Sequence, residues 1–325
     1  MNRYLTHSLI INDKIVPVLL EAGADINAQD NDGKTVLMYV MNEDNDRTFH
    51  LLRAGADPNI SDNEGKTALL NVDSLNTFTP YKLFDALIKA GADVNAKDKN
   101  RRTALMRAAE RCSNYKSNFY VSYGDKEAYP PVPVHNGYFC RHDEEIEILK
   151  MLIKAGAKID SKDNAGNTAL LCALKSAFNL TPDIFDNLPT WKRARRVIEA
   201  FTIETFEILL SNGADINAAD TSGCNALMIA SMNPSKKIVR FLIKHKADVN
   251  AQDNAGLTAL MHASMYLESE NYDPEIIKIL LKAKADPNIT DCEGKRAIDY
   301  ADMNEKLKIN ENLEYYELLA SATAE

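Results

Sequence analysis

The chain has 325 residues, with 38 Lys plus Arg against 47 Asp plus Glu and a net charge of −9. That acidic balance lacks the basic stripe a general binder of phosphate backbones requires, so no nucleic-acid partner is expected. No run is long and apolar enough to span a bilayer, and residues 1–12 lack the basic start and apolar core of a secretory signal. A cytoplasmic protein without a membrane partner is therefore expected.

Met1 to Ala22 reads as a capping helix pair, a short helix near Tyr4–Ile10 followed by Lys14–Glu21. Its ending, LLEAGAD from Leu19, returns as LLRAGAD from Leu51, LIKAGAD from Leu87, LIKAGAK from Leu152, LLSNGAD from Leu209, LIKHKAD from Leu242 and LLKAKAD from Leu280. Gly23, Gly55, Gly91, Gly156 and Gly213 stand where a residue of positive φ stops a helix. Lys246 and Lys284 take that place in two copies, at an expected strain of about 1 kcal/mol each.

After each ending comes an Asx-rich link with a second turn position: Gly33, Gly65, Arg101, Gly166, Gly223, Gly256 and Gly294. A helix-starting box follows. It reads Thr35-Val36-Leu37-Met38, Thr67-Ala68-Leu69-Leu70, Thr103-Ala104-Leu105-Met106, Thr168-Ala169-Leu170-Leu171 and Thr258-Ala259-Leu260-Met261. Asn225-Ala226-Leu227-Met228 and Arg296-Ala297-Ile298-Asp299 are looser copies. Second helices are predicted over Arg47–Arg53, Tyr81–Lys89 and Lys236–Lys244, and Arg296 to the C-terminus closes the array as a cap.

Successive turn positions lie 32, 36, 65, 57, 33 and 38 residues apart, so two consecutive repeats are oversized. In each, the extra chain falls between the two helices of the pair. One insert, 113–143, holds Tyr115, Phe119, Tyr123, Tyr129, Tyr138 and Phe139 with Pro130-Pro131, and its Asn136-Gly137 favours a hairpin turn. The other, 178–199, leads through Pro189-Thr190-Trp191 into a helix that starts near Thr190. Both inserts are expected on one edge, either packed together around Trp191 and the aromatics or as independent loops.

These repeats resemble the ankyrin family, whose unit is a finger-like turn followed by two antiparallel helices. The box matches the family's T-P-L-H, although no copy keeps the proline or the histidine. The resemblance covers nearly the whole chain outside the inserts. It implies an all-α solenoid of about eight helix pairs joined by finger-like β-turns, one domain over 1–325, with caps at 1–22 and 296–325.

The remaining residues offer few chemical motifs. Lys34-Thr35 and Lys66-Thr67 mimic the end of a phosphate-binding loop, but Ala28 and Ile60 stand where it needs glycine. Five scattered cysteines without a CxxC pair read as thiols of a reducing compartment. Cys112, His135, Cys140 and His142 match no common zinc spacing, and no metal or other cofactor is expected from them. His262 is expected on the concave surface, and Lys192-Arg193-Ala194-Arg195-Arg196 as a solvated helix face. The six histidines form no catalytic constellation, so no enzyme is expected.

Function is therefore read from surface. The family's variable positions fall here on Asp32, Lys34, Glu64, Lys66, Asn100, Arg102, Glu110, Arg111, Lys175, Met265 and Tyr266. Tyr123, Tyr138, Phe139 and Trp191 of the inserts add hot-spot residue types. The resemblance implies a monomeric scaffold that binds another protein through its fingers and first helices. An enzyme or effector with a site in the inserts, or a variant that binds a metal or small molecule, is the alternative.

Overall fold

A computed structural model describes residues 18, 20–41, 45–72, 80–113, 142–178, 190–233, 235–265, 275–303 and 313–324. Most of the N-terminal pair, Tyr123, Tyr138, Phe139, Tyr266, His135 and Cys140 lie outside them, as do both possible arrangements of the inserts. Trp191 and His142 enter only as positions on helices.

The described chain is all-helical apart from its turns, and its helices come in pairs. The pairs are α1 (Val36–Val40) with α2 (Asn45–Arg53), α3 (Ala68–Asn71) with α4 (Pro80–Lys89) and α5 (Ala104–Cys112) with α6 (His142–Lys154). Then follow α7 (Ala169–Phe178) with α8 (Thr190–Ser211), α9 (Ala226–Ser231) with α10 (Lys236–Lys244), α11 (Ala259–Met265) with α12 (Glu275–Lys282) and α13 (Ala297–Met303) with α14 (Leu313–Ala324). They fall into two compact units, Met1–Arg111 with Lys116–Asn164, and Cys112–Tyr115 with Ala165–Glu325. In the first, α1 packs on α3 and α2 on α4, which packs on α6. In the second, α7, α9, α11 and α13 stack in order, as do α8, α10, α12 and α14. No described helix is long and apolar enough to cross a membrane.

The box explains the stacking of first helices. Its leucine is buried in Leu37, Leu69, Leu105, Leu170, Leu227 and Leu260, and the alanine before it is buried wherever it occurs. A small residue there lets neighbouring helices approach closely. The residue that opens the box caps the helix with varying success. Asn225 accepts from the Met228 amide at 3.0 Å, and Thr258 from Met261 at 3.3 Å. Thr35 and Thr67 make no such bond, and the Thr67 hydroxyl is buried without a hydrogen-bond partner.

The endings close as the glycines predict. Ala56 N donates to Leu51 O and Gly55 N to Leu52 O, the double bond of a Schellman cap. Ala247 and Ala285 close onto Leu242 and Leu280 in the same way around Lys246 (φ 66°) and Lys284 (φ 67°). Arg101 holds a finger turn at φ 59°. Because Gly55 and Gly213 show open space where a Cβ would stand, the strain at these lysines is backbone strain alone. Lys246→Gly and Lys284→Gly should each raise stability by about 1 kcal/mol, read as a higher urea midpoint.

The second helix of the fourth described pair departs from the others. Helix α8 has 22 residues, whereas α10 has 9 and α12 has 8. It starts at Thr190, so Lys192–Arg196 occupies its first turns. Further along, buried Glu199 accepts a 2.6 Å bond from Ser235, the residue that caps α10.

Candidate partner-binding surface

Six of the described fingers are each built around one aspartate. In Asp30, Asp98 and Asp253, Oδ1 accepts the backbone amides two and four residues on, all at 2.9 Å. Asp62, Asp220 and Asp291 repeat the pattern. Oδ2 faces the first helix and takes the residue nine positions on. That partner is Tyr39 at 2.6 Å, Asn71 at 3.4 Å, Arg107 at 2.7 Å, His262 at 3.0 Å and Tyr300. At Asp220 the ninth residue is Ile229, and Lys175 of the preceding repeat fills the place at 2.8 Å.

The hydrogen bonds set the charge states. Burial alone would raise the Asp30 and Asp220 pKa values. The Tyr39 hydroxyl and Lys34 and Asp32 amides outweigh it at Asp30, and Lys175 and Ser222 do so at Asp220, so both lie below the usual carboxylate value. The Tyr300 hydroxyl lowers Asp291, and burial with that same bond raises Tyr300.

Two ladders then tie finger to finger within each unit. In the first unit Asn63 N donates to Asp32 O and Lys99 N to Glu64 O, both at 2.9 Å. In the second, Thr221 N donates to Ala165 O, Asn254 N to Ser222 O and Cys292 N to Ala255 O at 2.9–3.0 Å. A parallel ladder uses asparagine side chains. Asn27, Asn59, Asn217 and Asn250 accept from Asp57, Asp93, Asp248 and Asp286 at 2.7–2.8 Å. The Asx richness of the link is thus structural.

A profile described as "Ankyrin repeat" matches residues 32–63, and one described as "Ankyrin repeats (3 copies)" matches 197–291. The chain carries ankyrin repeats and has their fold. Among solved structures it is similar to the ankyrin repeat domain of Bcl-3, titled a unique member of the IkappaB protein family. The TM-score is 0.56 at 23% identity, over 83% of this chain and 95% of that one, a likeness of fold. No curated protein matches the chain.

On this ankyrin-repeat scaffold the sequence-predicted residues separate by depth. Asp32, Glu64 and Asn100, two positions after the finger aspartate, are exposed, as are their counterparts Ala165, Ser222, Ala255 and Glu293. Lys34, Lys66 and Arg102, four positions after it, are half-buried. Lys34 lies 5.6 Å from the centre of the Tyr39 ring. Arg102 pairs with Glu110, Glu64 meets Lys99 at 3.3 Å, and Lys175 reaches both Asn167 and Asp220. Arg111 turns away from a partner-facing role. Its guanidinium holds buried Glu145 at 2.9 Å and sits over the Phe84 ring, with 16% of its side chain exposed. It clamps α5 to α6. Met265 is half-buried at the end of α11.

His262, expected on the surface, is 92% buried on the aspartate. The position nine after each aspartate was not singled out from sequence, because tyrosine, asparagine, arginine and histidine all occupy it in different repeats. Its signal was a polar residue directly after an apolar box, as in Tyr39, Asn71, Arg107, His262 and Tyr300. Side chains of Cys224, Asp253 and His262 converge across two fingers and could hold a metal.

Proposed function

We propose that the chain is a protein-binding scaffold that grips its partner through the exposed finger row and the half-buried row behind it. The observation that carries this reading is the division of labour in the finger. Backbone and aspartate are consumed by the ladders, while the side chain two positions on is exposed in every described finger and changes freely. Ankyrin repeats generally mediate protein–protein interaction, so such a row is the natural contact surface.

The row changes character between the units. In the first it pairs acid with base, Asp32 with Lys34 and Glu64 with Lys66, then Asn100 with Arg102. From Ala165 to Leu257 in the second it is neutral, and charge returns at Glu293 and Lys295. A partner of mixed surface, charged along one stretch and apolar or weakly polar along the other, fits that sequence of side chains. A reducing, cytoplasmic setting agrees with Cys112, Cys172, Cys224 and Cys292, none of which is in a disulfide.

The test is affinity capture from cell extract with two variants. One carries Asp32→Arg, Glu64→Arg and Ser222→Arg on the finger row. The other carries Glu147→Arg, Lys237→Glu and Lys282→Glu on the second helices, where these residues are exposed. The finger variant should lose the captured partner while keeping its helical circular dichroism. Loss confined to the second-helix variant would refute the reading.

A further inference from the structure

We infer that Cys224, Asp253 and His262 form a site for a divalent metal ion of the zinc class, set between two successive fingers. The three side chains come from different elements. Cys224 stands four residues after Asp220 in one finger, Asp253 opens the next finger, and His262 follows the box in α11. Their Sγ, Oδ2 and Nε2 atoms all lie within 4.8 Å of one another, and this is the one such group among the described residues. Nε2 stands 3.0 Å and Sγ 3.7 Å from the same Asp253 oxygen.

Tetrahedral zinc with bonds of about 2.0–2.3 Å places its donor atoms about 3.3–3.6 Å apart. The two distances bracket that range, and the remaining Sγ–Nε2 separation, within 4.8 Å, closes by side-chain rotation when the ion enters. Asp253 keeps its other oxygen on the Ala255 and Leu257 amides, which fixes the carboxylate as outer-shell bonds do in metal sites. One thiol, one imidazole and one carboxylate form a mixed set that suits zinc better than calcium or magnesium. Three protein donors leave a fourth position for water.

Two alternatives fail on the same geometry. A nucleophilic cysteine needs the imidazole between thiol and carboxylate, whereas here the carboxylate stands between the other two. Burial, then the charges of Asp220 and Asp253, also push the Cys224 thiol up to about 11, so it keeps its proton at neutral pH. A bare repeat-wide hydrogen bond explains His262 but not the thiol. Tyr39, Asn71, Arg107 and Tyr300 make that bond too, and among the described residues none of the aspartates they meet belongs to such a convergent group.

Binding balances simply. The thiol releases one proton to solvent as its sulfur bonds the ion. For Nε2, which faces Asp253, to bond the ion, the imidazole carries its one hydrogen on Nδ1.

The experiment titrates the untagged full chain with cobalt(II) as a spectroscopic stand-in for zinc. One equivalent should produce a thiolate-to-cobalt charge-transfer band with the strong visible bands of a four-coordinate site. Cys224→Ser should abolish the charge-transfer band. His262→Asn, which keeps a hydrogen-bond donor for Asp253 as Asn71 does for Asp62, should weaken binding by about a hundredfold. Cys292→Ser, at an exposed thiol, should change nothing. In the unaltered chain, zinc should slow alkylation of Cys224 and leave Cys292 alone, as mapped by mass spectrometry. Absence of the band, a band that survives Cys224→Ser, or equal alkylation of Cys224 with and without zinc would each overturn the inference.

Discussion

Gly223→Ala should destabilise the chain by about 3 kcal/mol, whereas Gly213→Ala, only ten residues earlier, should cost about 1 kcal/mol. Both glycines have positive φ, 82° and 93°, so both substitutions meet the same backbone strain. The difference lies in what surrounds them. A Cβ on Gly213 meets nothing within 4 Å, because a helix ending faces solvent. A Cβ on Gly223 would stand 2.6 Å from Asn254 Oδ1, 2.7 Å from Asn254 N and 3.0 Å from Asp253 Cα. Those backbone atoms belong to the next finger and are held there by the Ser222–Asn254 ladder bond. They cannot withdraw without breaking it. Gly166, at 2.6 Å from Thr221 N, should behave as Gly223 does. Urea unfolding followed by circular dichroism reads both values, and equal losses at Gly213 and Gly223 would show that finger contact carries no stability.

Asp98→Ala should cost about 3–4 kcal/mol, far more than truncation of an exposed charge. Asp98 is buried, and its two oxygens hold the Asn100 and Arg102 amides and the Arg107 guanidinium. The substitution leaves those donors without their acceptor and leaves Arg107 without its counter-charge, in a finger whose turn already carries Arg101 at positive φ. Asp98→Asn retains an oxygen for the amides and should lose about half as much. Glu64→Ala provides the contrast. Its ion pair with Lys99 is mostly exposed on both sides and should contribute less than about 1 kcal/mol. Since each repeat leans on its neighbours, the Asp98 variant should also show a shallower, less cooperative urea transition.

The parts of this fold that repeat were the parts legible in the sequence. In every copy the helix ending, the turn position and the box keep the same spacing from one another although the copies themselves are unevenly spaced, and that fixed internal pattern reports a shared backbone. Lys246 and Lys284 could be read as strained because each stands where other copies hold glycine. What varies between repeats was harder to read. Tyr39, Asn71, Arg107, His262 and Tyr300 share a place, but only the two tyrosines share a chemistry, so little in composition links the set to the aspartate nine residues before. Arg111 looked like a free surface cation, since only the fold brings Glu145 beside it from across the aromatic insert. The Cys224–Asp253–His262 group was invisible for the same reason. Its members belong to two repeats, and no local spacing announces a site assembled by stacking. The aromatic insert gave no periodic signal, and its tyrosines lie outside the described residues.

If the finger row touches the partner, site-specific photocrosslinking should trap the partner there. A photoreactive residue would be placed in turn at Glu64, Asn100, Ser222 and Glu293 on the finger row, and at Glu147, Lys237 and Lys282 on the second helices. A common partner adduct is expected from at least two finger positions, one in each unit, and none from the second helices. A partner adduct formed only from the second helices would mean that the finger row is not the contact surface.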